Sequence, residues 1–506
     1  MLFPCCYIIA IAIPFFGGTN ETTQSPIANI AKENPSTIST EEHAFKKSKT
    51  LLEFLTQQEP SPQGSLSPYE AIAKIPHNIF EYEYASQSLF GGHDILTARG
   101  IEPSITYTSD IAGNPVGGIH PKGGTYMDNI AFNCLFNTEK LFGWHGGYLM
   151  VSAIQRDGIS LSQKNIGNQF PVQQVQMPGT GTGETFHFYE LDYEQRFYHD
   201  HASIKSGRFI AGDDFDSSPL YWLYMGKGIN GRPLSLGANG NFTVPPNASW
   251  ASRFKIELPS STSARIGAYQ MTQNSVNGLN WNFYPHDGVM LLAQYEWDPE
   301  FFKPTETSLP SSSINKPTES SLPREHAFNK ARLPASPDTS KGLMGHYWMG
   351  GYYSTYEYTQ FNSKALRPDA FGFYWHADQT VYRPHPTNNT GLVLWTVTTL
   401  CPQENISLLP LQINGGAIYT GLIPTRRNDF TIAGFTYGEF SSNYANIQQK
   451  TGKGNPTYEL VYEFGYRVNM TKFAYIQPDL QWIINPGGTG HIPNAVVLGA
   501  QIGVVF

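Results

Sequence analysis

Charge is scarce in this chain. Asp, Glu, Lys and Arg make up 15% of its 506 residues, against about 25% in an ordinary soluble domain. What charge there is leans acidic, to a formal net of −8, and a nucleic-acid partner would call for a basic face. Cysteine is nearly missing. Of the four, Cys5 and Cys6 lie in the N-terminal apolar run, while Cys134 and Cys401 stand far apart. No CxxC spacing exists to hold a metal, and there is no framework for disulfides. GxSxG and HExxH are absent too, so no nucleophile–base or zinc constellation supports an enzyme, and no cofactor is expected. Long apolar runs are lacking as well. After residue 18 no stretch approaches the 18 consecutive apolar residues of a membrane helix. Either the mature chain is soluble, or it crosses a membrane by strands.

Aromatics are abundant, at 14%, with 48 Gly, 29 Tyr and 31 Phe. The apolar residues of 1–18 read as a secretory signal peptide. Residues 19–83, rich in Ser, Thr, Pro, Gln and Glu, read as a polar leader with one helix around TEEHAFKKSKTLLEFLTQQ. A second Pro/Ser/Thr-rich stretch, 299–342, holds seven prolines and an internal echo, KPTETSLP then KPTESSLP. It reads as an insertion.

From about residue 84 onward, segments of some ten residues alternate between apolar and polar side chains. In PTYELVYEFGYRV, Tyr458, Tyr462 and Tyr466 share a face and Glu459, Glu463 and Arg467 share the other. In GVMLLAQYEW, Leu291 and Trp297 oppose Gln294 and Glu296; in ETFHFYELDYEQRF, Tyr189, Leu191 and Tyr193 oppose Glu190, Asp192, Glu194 and Arg196. About sixteen such segments are found, near 102–112, 125–137, 146–156, 184–197, 201–211, 250–259, 263–272, 288–298, 343–355, 371–382, 390–400, 405–418, 429–440, 456–468, 472–484 and 495–506. A soluble sandwich with one wet face shares the alternation. The even count, the strand length and the turn asymmetry favour an all-β, up-and-down antiparallel transmembrane barrel. NTEKLFG, YHDH, SST and NMT make short turns, whereas 157–183, 212–249 and NPGGTGHIPN make long loops. The last strand ends on Phe506, the kind of terminus that barrel-assembly machinery recognises.

Four stretches resemble the carbohydrate-selective porin (OprB) family. They are LFGGHDILTARGIEPSITYTSDIAGNPVGG at 89–118, IKSGRFIAGDDFDSSPLYWLYMGKGINGRPLSL at 204–236, the pair NGLNWNF–DGVMLLAQYEW, and the tail from YTGLIPTRRNDFTIAGFTYGEFS to AVVLGAQIGVVF. The resemblance implies a sixteen-stranded monomeric channel of the bacterial outer membrane, set among outer-membrane lipid, with small sugars as solutes.

Alternation assigns Asn129, Asn133, Glu190, Asp192, Glu194, Arg196, Arg253, Lys255, Glu257, Arg265, Gln294, Glu296, Glu459, Glu463, Arg467, Gln477, Asp479 and Gln481 to the lumen. The long loop 212–249 is expected to fold inward as the constriction. Arg208, Asp213, Asp214 and Asp216 would pair with sugar hydroxyls there, and Tyr221, Trp222 and Tyr224 would either stack on the apolar faces of the ring or pack the loop against the wall. Whether Arg208 or Lys205 faces inward stays open, because a bulge would exchange them. The aspartates lack EF-hand spacing, so no calcium is expected. His199-Asp200-His201 reads as a solvated turn rather than a metal site. Two alternatives remain: a channel of the same fold tuned to a charged nutrient such as a basic amino acid, and an adhesin that uses the external loops.

Overall fold

A computed structural model describes residues 79–88, 92–174, 185–271, 279, 281–283, 285–302, 342–384 and 389–506. The signal peptide and most of the leader and of the 299–342 insertion lie outside the described residues.

Sixteen long strands follow one another along the described chain. They are β1 (Ile101–Val116), β2 (Gly123–Asn137), β3 (Gly147–Gly158), β4 (Thr185–Phe197), β5 (Ala202–Phe209), β6 (Ser249–Leu258), β7 (Thr262–Gln270) and β8 (Val289–Trp297). There follow β9 (Leu343–Ser354), β10 (Ala370–Tyr382), β11 (Gly391–Leu400), β12 (Leu411–Thr420), β13 (Phe430–Glu439), β14 (Tyr458–Asn469), β15 (Ala474–Ile484) and β16 (Ala495–Val505). Each pairs antiparallel with the next, and β16 returns to β1, from Thr106↔Val505 to Val116↔Val496. The sheet is thereby closed, so every ladder has a partner and no strand edge faces hydrocarbon.

The expected strands all coincide with observed ones. The largest offset is at β12, expected from 405. Ile406 and Leu409 are buried there as loop residues, and the Leu409 N–H donates to Asn239 Oδ1 at 3.1 Å instead of entering the ladder.

Period-two burial divides each strand between two surroundings. On β8, Leu291, Tyr295 and Trp297 are 51%, 46% and 41% exposed on the outer face, while Met290, Leu292 and Gln294 are buried inside. On β14, Tyr458 and Phe464 stand outside, and Glu459, Glu463 and Arg467 are buried inside. The outer aromatics pack among themselves, as Tyr462 does on Trp482 with ring centres 6.0 Å apart. Such an apolar outer band around a polar interior suits a barrel held in lipid.

Turn chemistry explains the short connections. Between β6 and β7, Ser260 and Ser261 both take left-handed φ, +65° and +55°, as a type I′ hairpin requires. Between β2 and β3, Asn137 caps the helix Thr138–Phe142 by accepting from the Glu139 and Lys140 N–H groups, and Gly143 ends it at φ +75°.

Register shifts occur on β1, on β10 and between β3 and β4, and the last of these changes a face. Ser152 pairs with Glu190 but Ala153 pairs with Phe188, which leaves Tyr189 as an extra residue on β4. This bulge turns Tyr189 inward, where it packs with Ala131, Ile154, Ile210 and Ala248. Tyr189 was expected outside with Leu191 and Tyr193; the bulge is the reason that it is not.

Candidate channel constriction

The ten charged residues expected to line the pore all take inward register positions. Glu190 accepts from Ser152 Oγ at 2.9 Å, and Asp192 is buried beside it. Arg253 joins Glu194 at 3.2 Å and Asp214 Oδ1 at 3.1 Å, and donates to Ser203. Arg265 pairs with Glu296. Arg196 lies over the Tyr148 ring at 4.7 Å, while Glu257 meets Lys255 and His201 at the short-turn rim. Glu463 and Arg467 project from β14.

Two long connections enter the barrel and cover much of this wall. The chain between β5 and β6 leaves the wall through an acid anchor, Asp214, which is ion-paired to both Lys205 and Arg253. It then reaches across the interior. The Trp348 indole donates to Asp216 at 3.2 Å, and the Asp216 N–H donates to Gln294 at 3.0 Å. The Tyr221 hydroxyl meets His376 Nδ1 at 2.6 Å; the Trp395 indole donates to the Tyr224 hydroxyl at 2.9 Å, which donates to the Ala433 carbonyl. Arg467 donates to the Trp222 carbonyl and Gln477 to the Leu223 carbonyl, both at 2.9 Å. Farther on, Gln412 and Asn414 both donate to the Gly228 carbonyl. The loop therefore lies inside the barrel, against β8 to β15.

The second connection runs between β3 and β4, and sequence reasoning missed the inward course of its residues 159–174. Leu161, Ile166, Phe170 and Val172 are all buried, and that apolar content was the signal available. The Lys227 N–H donates to the Pro171 carbonyl at 2.7 Å, joining the two segments.

The sequence-expected constriction residues divide. Asp214 and Asp216 anchor the loop. Tyr221 and Tyr224 are fully buried between loop and wall and Trp222 is 8% exposed, so these rings fill space as a hydrophobic core does. Stacking by Tyr221 and Tyr224 on a passing sugar is not what this packing provides. Arg208 is not at the constriction at all. It pairs with Leu191 on one side and Trp250 on the other, both outward positions, and lies under the Trp281 ring at 5.2 Å. Lys205 holds the inward place instead, opposite Glu194. The registers of β5 with β4 and β6 run unbroken here, so simple alternation carries Arg208 to the outer face.

Other cations supply what Arg208 does not. Arg156 on β3 donates from Nε to Asn129 at 3.0 Å. Lys227 and Arg232 come from the loop. Burial, with the Arg232 and Arg156 charges added, pushes the Lys227 ammonium down to about 7. Burial lowers Arg232 to about 10, opposed by Asp213 and Asp216. Asp216 is raised by burial to about 7, against the Trp348 indole and Arg232. Cations and carboxylates thus occur together on the inner wall and the loop. Among the described residues no group of His, Cys, Asp and Glu is arranged to hold a metal ion, and Cys134 and Cys401 are free thiols.

A closed sixteen-stranded barrel with an apolar exterior, a polar lumen and inward loops is an outer-membrane porin. This chain belongs to the OprB family of carbohydrate-selective porins, which matches residues 121–506, and its place is the bacterial outer membrane. It is 23% identical to Porin B of Pseudomonas aeruginosa over 446 residues, 81% of this chain and 88% of the relative. It is 19% identical to the putative porin QuiX of Acinetobacter baylyi, covering 82% and 91%. The high-pH structure of Pseudomonas putida OprB shares the fold at a TM-score of 0.70 and 21% identity, over 84% of this chain and 99% of that one.

Proposed function

We propose that small neutral sugars diffuse passively between the inward loop and the inner faces of β2 to β5, on a path bordered by Asn129, Arg156, Glu190, Asp192, Asp213, Lys227 and Arg232. The occurrence of cations together with carboxylates supports this reading. A sugar hydroxyl donates and accepts, so it can exchange its water for both kinds of partner in turn. An ion of either sign meets repulsive charges as well as attractive ones. The passage works as a channel and not as a catalyst, in a monomer whose last strand, ending at Phe506, addresses it to the barrel-assembly machinery.

Liposome swelling tests the selectivity. Glucose is expected to enter faster than lysine or a monoanion of similar size. Equal or faster entry of lysine would favour the channel for a charged nutrient.

A further inference from the structure

Strand β14 offers three inward side chains spaced four residues apart, Glu459, Glu463 and Arg467, and each takes hold of loop backbone. Glu459 accepts the N–H groups of Gln169 and Phe170 at 2.7 and 2.8 Å, and of Gly487 at 2.6 Å. Glu463 accepts those of Met225 at 2.5 Å and Gly226 at 3.2 Å. Arg467 donates to the Trp222 carbonyl. Its neighbour β15 repeats the pattern, with Gln477 on the Leu223 carbonyl and Gln481 on the Val172 carbonyl. Both carboxylates are nearly without solvent contact, Glu459 at 0% and Glu463 at 2%. Neither is placed to touch a solute.

We propose that Glu459 and Glu463 are positioning residues, each a clasp for one of the two inward segments, and that together they set the width of the passage. The physical ground is the number and direction of the bonds. A backbone N–H buried away from water needs an acceptor, and Glu459 meets three such groups and Glu463 two. Glu459 fixes the arm at 159–174 and Glu463 the arm at 210–248. The two arms then meet at the Lys227 to Pro171 bond, so releasing either one frees the other's free edge. This adjustment of width rests on the channel function and not on which solute passes.

The test measures ion current alone, so it stands whether or not sugar is the solute. Full-length protein is reconstituted in planar bilayers, with assembly checked by the mobility shift of folded barrel on unheated gels. Glu463→Ala is expected to raise single-channel conductance about twofold and to add rapid flicker, because a freed arm samples positions nearer and farther from the wall. Glu463→Gln is the diagnostic rescue. Its amide oxygen can still accept from Met225, and its NH2 can donate to Gln481 Oε1, which has no partner and stands on the residue directly opposite. It should restore quiet, parent-like conductance. Glu459→Ala reads the same effect on the other arm, and decides the matter if the first variant does not assemble. Alanine variants that conduct steadily like the parent would overturn the proposal. So would a glutamine variant as noisy as the alanine, since charge in the lumen and not the clasp would then be responsible.

Discussion

Lys227 and Asp216 sit on one loop and respond to pH in the same electrical direction. Lys227 loses its positive charge, and Asp216 gains a negative one, as pH rises through about 7. The passage therefore becomes more negative between pH 6 and pH 8, in a low-dielectric setting that focuses fixed charge. The anion-over-cation permeability ratio, read from the reversal potential across a KCl gradient, is expected to fall over that range. Lys227→Met should begin with the lower ratio and lose most of the slope. Asp216 also links pH to loop packing. A carboxyl whose folded value is raised contributes stability that is fully present below its unfolded value near 4 and is lost as pH rises through about 7. Asp216→Asn should therefore make protease resistance of the loop insensitive to pH across that interval, while the parent loop becomes more readily cut on the alkaline side.

At the scale of the strand, one rule placed nearly everything. Alternation located all sixteen strands and put Glu463, Arg467, Glu296 and Leu291 on their true faces, because the surroundings on the two sides of the wall differ so strongly. It failed where a side chain depends on more than its own strand. Tyr189 turns inward because β4 carries one residue more than β3 at that point, and no local composition announces the bulge. Whether Arg208 or Lys205 faced inward was open, because a bulge would exchange them; the unbroken register with Leu191 and Trp250 places Arg208 outside. The loop aromatics were legible as a cluster, but sequence alone left stacking on solute and packing against the wall both open, since their partners Trp395 and His376 lie about 150 to 170 residues onward. The register has a direct consequence. Phe464 is 48% exposed at mid-strand on β14, facing lipid. Phe464→Arg is expected to cost about 2–4 kcal/mol of unfolding free energy in bilayers. Lys255→Gln, on the inner face of β6 near the short-turn rim, should stay within about 1 kcal/mol of the parent, because its pairing with Glu257 is solvent-exposed.

Taken as a whole, the barrel is filled unevenly. On the side of β7 to β13 it holds a core of the kind found in a soluble protein: Phe215, Tyr221, Leu223, Tyr224, Ile229 and Leu236 of the loop pack on Met290, Leu292, Trp348, Tyr374, Trp395, Ile418 and Ile432 of the wall. The side along β2 to β5, where Glu190, Asp192 and Arg156 stand beside the small apolar cluster around Tyr189, is the one proposed for passage. Sixteen strands would by themselves enclose a wide aqueous lumen, so under the proposed function the loop and not the strand number should govern the current. Excising 217–242 and joining the ends with a short Gly-Ser bridge tests that division of labour. Asp214, Asp216 and Thr243 stay in place at the two stumps, and the hydrogen-bonded closure of β1 with β16 does not depend on the removed segment. The shortened chain is expected to assemble and to conduct severalfold more than the parent, with sugars no longer able to block the ion current. It should also unfold at lower denaturant concentration, because each apolar side chain that loses its burial gives up about 1.5–3 kcal/mol. A shortened barrel with parent-like conductance would mean that the narrowest point lies elsewhere, on the wall or in the arm at 159–174.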